Sequence, residues 1–112
     1  MANSYKTLGQ VDLTSTGMTD VYTAPVSTEA IVSTIVLANR TASATTYRIA
    51  VRTEGDSLSN KHYIAYDVAL AASNSTTLTL GIALAATDVV SVSAADANAV
   101  SVNIFGTEIT SA

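Results

Sequence analysis

An all-β fold, two antiparallel sheets packed as a sandwich, is what this sequence predicts, and three features predict it. Apolar residues recur with a period of two rather than the 3.6 of a helix. Turn signals interrupt the chain about every 8 to 15 residues, the rhythm of a sandwich or barrel. The Ala-rich stretches 69–72 and 83–86 have helical propensity, but each is too short for a stable helix and sits between strands. One domain over residues 1–112 is expected, with seven or eight strands. Jelly-roll and Ig-like topologies both fit, because strand order is not legible in one sequence.

The elements follow in chain order. Residues 5–13 and 21–23 read as short or edge strands, and residues 1–20 as an N-terminal arm or an edge strand. Pro25 has no N–H, so it belongs at a strand end or corner. Residues 29–39 are apolar on both sides, with Ile31, Ile35 and Leu37 on one face and Val32, Val36 and Ala38 on the other. Such a strand is covered twice, by a loop over its outside or by another subunit. In residues 45–53 Tyr47, Ile49 and Val51 alternate with Thr46, Arg48, Ala50 and Arg52. Residues 61–70 place Ile64, Tyr66, Val68 and Leu70 opposite Tyr63, Ala65 and Asp67. Residues 76–84 set Leu78, Leu80, Ile82 and Leu84 inward, and Gly81 marks a bulge or bend. Residues 89–94 and 100–109 continue the pattern. Turns fall at Gly17, 39–41, 54–56, 73–75, 87–88 and 96–98.

Composition bounds the function. Hydrophobic residues make up 48% and charged residues only 12%, against about 25% charged in an average globular chain. Mean hydropathy is +0.36. Thr, Ser and Ala, small and neutral, take the place of the missing charge. A surface so weakly ionic favours association, so permanent assembly with neighbours is expected; the competing reading is a monomer with a plain Ser/Thr surface. The net charge of -4 argues against nucleic acid, whose phosphates select basic surfaces. The chain has no Cys, which excludes disulfides and thiolate chemistry. No apolar run approaches the roughly 18 residues of a membrane helix, and the N-terminus lacks the basic-then-apolar pattern of a signal peptide. No membrane, metal or cofactor is expected.

Few residues suggest chemistry. His62 is the single histidine. Ser57 and Ser59 lie nearby, but no Gly-x-Ser-x-Gly elbow accompanies them, and a surface or interface histidine is the expectation. The nine acids are scattered, with no EF-hand loop; they read as turn caps. Four of the five basic residues fall at Arg40, Arg48, Arg52 and Lys61. Arg48 and Arg52 project from one strand face, about 13 Å apart. They could offer a basic patch to an acidic patch on another subunit, which fixes register more than affinity; the competing reading is a solvated strand face. The expected protein–protein interface is therefore drawn from Val32, Val36, Ala38, Arg40, Arg48, Arg52, Lys61 and Tyr63. Asn39-Arg40-Thr41 and Asn74-Ser75-Thr76 match the glycosylation triplet, a common chance match.

Several segments carry a resemblance. They are Val21-Tyr22-Thr23-Ala24-Pro25, Ile35-Val36-Leu37-Ala38-Asn39-Arg40, Tyr47-Arg48-Ile49-Ala50-Val51-Arg52, Lys61-His62-Tyr63-Ile64-Ala65-Tyr66-Asp67, the run 79–88, and Phe105-Gly106-Thr107-Glu108-Ile109. In these the chain resembles small all-β virion proteins of tailed bacteriophages, including phages of cyanobacteria and other aquatic bacteria. The resemblance runs over about residues 5–110 and rests on fold-pattern motifs, so it carries over no catalytic residue. It implies a non-enzymatic virion structural protein, made in the host cytoplasm. The role it favours is a capsid decoration (cement) protein on the capsid exterior that bridges major capsid protein subunits. A neck, tail or fibre component is the alternative. The expected partners are the major capsid protein or other virion proteins, together with copies of itself, a trimer being favoured, through residues 29–39 or the N-terminal arm. A carbohydrate-binding module using Tyr63 or Tyr66 is a third reading; the lack of Trp speaks against it.

Overall fold

The computed structural model describes residues 2–110. It contains eight strands: β1 Ala2–Asp12, β2 Thr19–Thr23, β3 Thr28–Asn39, β4 Thr45–Arg52, β5 Tyr63–Leu70, β6 Ser75–Leu84, β7 Val89–Ala94 and β8 Val100–Thr110. Two single turns of 3-10 helix, Thr53–Gly55 and Asn60–His62, lie between β4 and β5. The strands form two four-stranded antiparallel sheets, ordered β1-β8-β3-β6 and β2-β7-β4-β5. β1 pairs with β8, β2 with β7, β3 with β6 and β4 with β5. The chain is thus one long hairpin, its first half laid against its second, wrapped into two layers. The pairs β3–β8 and β4–β7 complete the sheets. That order is an eight-stranded jelly roll, which decides between the two topologies the sequence left open.

The core lies between the layers. Ile35, Leu37, Val102 and Ile104 from the first sheet meet Tyr47, Ile49, Val90 and Val92 from the second. β1 is an edge strand laid against β8 from Ala2 to Asp12, with one bulge between Thr7 and Gly9.

Two faces differ from the sequence reading. In β3 the register slips between Val32 and Thr34 against both neighbours. This bulge inverts the alternation: Ile31 is 44% exposed, while Val32, Ile35 and Leu37 are fully buried. Val32 is therefore a core residue and not an interface residue, a correction that follows from the one-residue slip. In β5 the alternation breaks at Asp67, whose φ of 52° is left-handed. Val68 is carried onto the ladder position opposite Tyr47, and it, Ile64 and Tyr66 all stay exposed.

The doubly covered strand is β7, buried at all six positions. Segment 53–62 lies over its outer side. Glu54 N–H donates to the Asp88 carboxylate at 2.9 Å, and the Arg52 guanidinium reaches the Asp56 carbonyl at 2.8 Å. β3, expected to be covered twice, has no such loop on its outside among the described residues.

Candidate interaction surface

Burial and charge separate the two outer faces. On the second sheet, polar side chains are tied to one another. Arg52 Nη2 meets the Asp20 carboxylate at 2.6 Å. Ser91 Oγ donates to the same carboxylate oxygen at 2.8 Å, and Arg52 Nε donates to Ser91 Oγ at 3.3 Å. Arg52 thus joins β2, β4, β7 and the covering segment, and its side chain is only 16% exposed. Arg48 grips Asp67 with Nε at 2.6 Å and Nη2 at 3.2 Å. Its guanidinium carbon also lies 4.0 Å from the centre of the Tyr66 ring, a cation–π arrangement. The hydrogen bond from Arg48 is the main reason the Asp67 carboxyl is held below its ordinary value. Tyr63 meets Tyr66 edge to face, with ring centres 4.9 Å apart.

The residues singled out from sequence do not form one patch. β3 and β4 belong to different sheets, so Val36 and Ala38 lie on one outer face, and Arg48, Arg52 and Tyr63 belong to the opposite sheet. Arg40 sits at the end of the sandwich, bonded to the Asp12 carboxylate and the Asn98 carbonyl. Arg40, Arg48 and Arg52 each have an acid within the chain, as does Lys6 with Glu108. Lys61 is exposed. The paired arginines hold this fold's own strands and loops together. Their acids lie far away in sequence, so one-dimensional spacing gave no sign of them.

His62 is buried within the covering segment. Its Nδ1 accepts a hydrogen bond from the Ser59 N–H at 3.0 Å, which places the ring hydrogen on Nε2. Asp56 lies 4.0 Å from Nε2, beyond hydrogen-bond range. The histidine caps a helical turn, and no serine hydroxyl bonds to its imidazole among the described residues. Nor does any cluster of His, Asp or Glu able to hold a metal ion occur among them. No helix there is long and apolar enough to cross a membrane.

The outer face of the first sheet is built differently. Its ladder rows are Gln10–Asn103–Val36–Thr77, Thr7–Phe105–Thr34–Thr79 and Tyr5–Thr107–Ile31–Ala83. None of these side chains is charged. Charge appears only in the flanking rows, with Asp12 at one end and Glu29 at the other. Tyr5, Ile31 and Phe105 are exposed at 84%, 44% and 37%. Sequence reading missed these three, because period-two alternation put Ile31 on the inner side. The one advance signal was the apolar content of residues 29–39 on both faces.

The geometry defines a jelly-roll domain with one bonded polar face and one uncharged face. No family model matches the chain, and no curated protein matches it. Among solved structures it is similar to a chain in "Structure of infectious bursal disease virus Gx strain", with TM-score 0.38 and 13% identity over 97% of this chain and 29% of that one. It is also similar to a chain in the Gt strain structure of the same virus, with TM-score 0.37 and 10% identity over 96% and 28%. The chain spans less than a third of the length of either. The fold assignment stands on the strand pairings themselves.

Proposed function

We propose that this chain is a non-enzymatic structural protein of a tailed-bacteriophage particle, a decoration protein on the capsid exterior that bridges and stabilises major capsid protein subunits. One observation carries the reading: three full ladder rows across the first sheet present no charge and expose Tyr5, Ile31 and Phe105. A face without charge, exposing two aromatic rings and an isoleucine among Thr, Asn and Gln, fits burial against another protein. The tightly bonded opposite face suits the side left in water. Binding only the assembled shell would stabilise it by mass action on that state. The use of His62 as a helical cap supports a role without turnover.

Reconstruction of the intact particle tests this. The expected result is density for the jelly roll repeated over the capsid exterior, with the β1-β8-β3-β6 face against the coat. Density confined to the tail axis in a small symmetric multiple would assign the chain to the neck, tail or fibre instead. Absence from the purified particle would overturn both.

A further inference from the structure

Four strands lie at sheet edges: β1 and β6 in the first sheet, β2 and β5 in the second. An edge offers unpaired N–H and C=O groups to any passing strand, and natural sheets block it with charge, proline, irregular backbone or a covering element. Three of these edges are blocked. β1 and β2 close against each other, since a β-carbon on Gly9 would strike the Val21 carbonyl oxygen. β1 also carries Lys6, and β2 is a five-residue strand holding Asp20. β5 loses register with β4 twice, turns left-handed at Asp67, and carries the Arg48–Asp67 ion pair.

β6 is different. Its ten residues include no charge and no proline, and among the described residues its only strand partner is β3. The register steps once, between Ile82 and Thr79, which leaves Ser75–Thr79 as an unbroken run. Thr77 and Thr79 are exposed. Leu78 lines an apolar cleft of about 320 Å³ between β6 and β5, with Ile64 and Val68 on its far wall and Tyr47 and Ile49 among its lining residues.

We propose that two copies of this chain associate through β6, edge to edge and antiparallel, joining their first sheets into one eight-stranded sheet. Unpaired backbone calls for a strand as occupant. A second copy of β6 is the strand we assign: each copy carries a net charge of -4, and the neutral strip lets two such copies meet with no like charges facing each other. Antiparallel pairing centred on Thr77 sets Thr77 against Thr77, and Ser75 of one copy against Thr79 of the other. Cross-strand hydroxyl pairs of this kind are favourable. The resulting ladder, five residues from Ser75 to Thr79 and about 17 Å long, is a narrow strip, well short of the roughly 800 Å² per partner of a stable complex. The apolar cleft beside it, with Ile64 and Val68, adds area, so the association is concentration-dependent. This contact deepens the structural-protein reading but is tested apart from it.

Sedimentation equilibrium on the full chain over a wide concentration range should show a monomer–dimer equilibrium. Thr77→Lys combined with Thr79→Lys should raise the dimer dissociation constant by roughly tenfold or more, because like charges then face each other. The circular dichroism spectrum and melting temperature should hold. Gln10→Lys, on the same outer face but at β1, should leave the dimer intact. In the unmutated chain, amide exchange at residues 76–79 should slow as concentration rises, a readout that needs no variant. A strict monomer, a dimer or trimer indifferent to the lysines, or exchange independent of concentration would each overturn the proposal. A monomer would leave the virion role standing, because particle reconstruction decides that question separately.

Discussion

Gly106 lies so close to the carbonyl oxygen of Ile31 that a β-carbon at this position would strike it. The contact sits at the bulge, where β3 passes from the pair Val32–Gly106 to the pair Thr34–Phe105. Ser33, the extra residue, donates its hydroxyl to the Phe105 carbonyl at 3.2 Å. The bulge that turns Ile31 outward therefore depends on a missing side chain one strand away.

Gly106→Ala should destabilise the fold by about 3 kcal/mol, since backbone and not a flexible side chain must yield. Gly81 is the control. A β-carbon there meets nothing within 4 Å, so Gly81→Ala should change stability by no more than about 0.5 kcal/mol. Urea unfolding midpoints of the two variants compare them directly.

Glu108 makes stability depend on acid. The Lys6 ammonium and the Tyr22 hydroxyl, which donates at 2.5 Å, hold its carboxyl below the usual carboxylate range despite burial. A carboxyl depressed in the folded state contributes stability above its unfolded value, and that contribution fades as pH falls through the folded value. Unfolding free energy should therefore decline as pH drops below about 4, near the ordinary glutamate value. Glu108→Gln should be less stable at neutral pH and should show a shallower acid slope in the same titration.

Arg52 ties segment 53–62 to the second sheet. Arg52→Ala removes bonds to Asp20, Ser91 and the Asp56 carbonyl, and should cost about 2–3 kcal/mol. Hydrogen exchange should quicken in segment 53–62 before it does in β3 or β8. Arg48→Ala, at a solvent-facing pair, should have the smaller effect on stability. Equal loss from the two variants would mean that Arg52 does not organise the segment.

Asn39 is a buried amide that joins the β3–β4 and β5–β6 turns. Its nitrogen donates to the carbonyls of Ser43 and Ala71 at 2.9 and 3.2 Å. Its oxygen accepts from the Thr41 N–H and hydroxyl at 3.0 and 2.8 Å. The glycosylation-like triplet is thus occupied by structure. Asn39→Ala removes these bonds between the two turns and should cost roughly 2–3 kcal/mol. The exposed Asn74→Ala should cost much less, and thermal melts of both would show the contrast.

The strands were legible because alternation of period two marks a chain with one face inward. Thr45–Arg52 and Val100–Thr110 were readable end to end for that reason. The face of Ile31 was not, because a bulge inverts alternation without leaving a mark in the residues around Ser33. The ion pairs were hidden for a different reason: Arg52 and Asp20 stand on strands that never neighbour each other in sequence, with β7 between them in the sheet. The interface expected from Val32, Arg48 and Arg52 joined residues that the jelly roll assigns to the core and to the opposite outer face.

By itself the sequence determined the layered β architecture, the weak surface charge and the poverty of catalytic groups, since each follows from residue type and local period. Tertiary structure alone decided the jelly-roll order, the uncharged outer face and the open β6 edge. Those depend on which distant strands pair and where a register slips, and both are settled by burial of the whole chain at once rather than by any one segment.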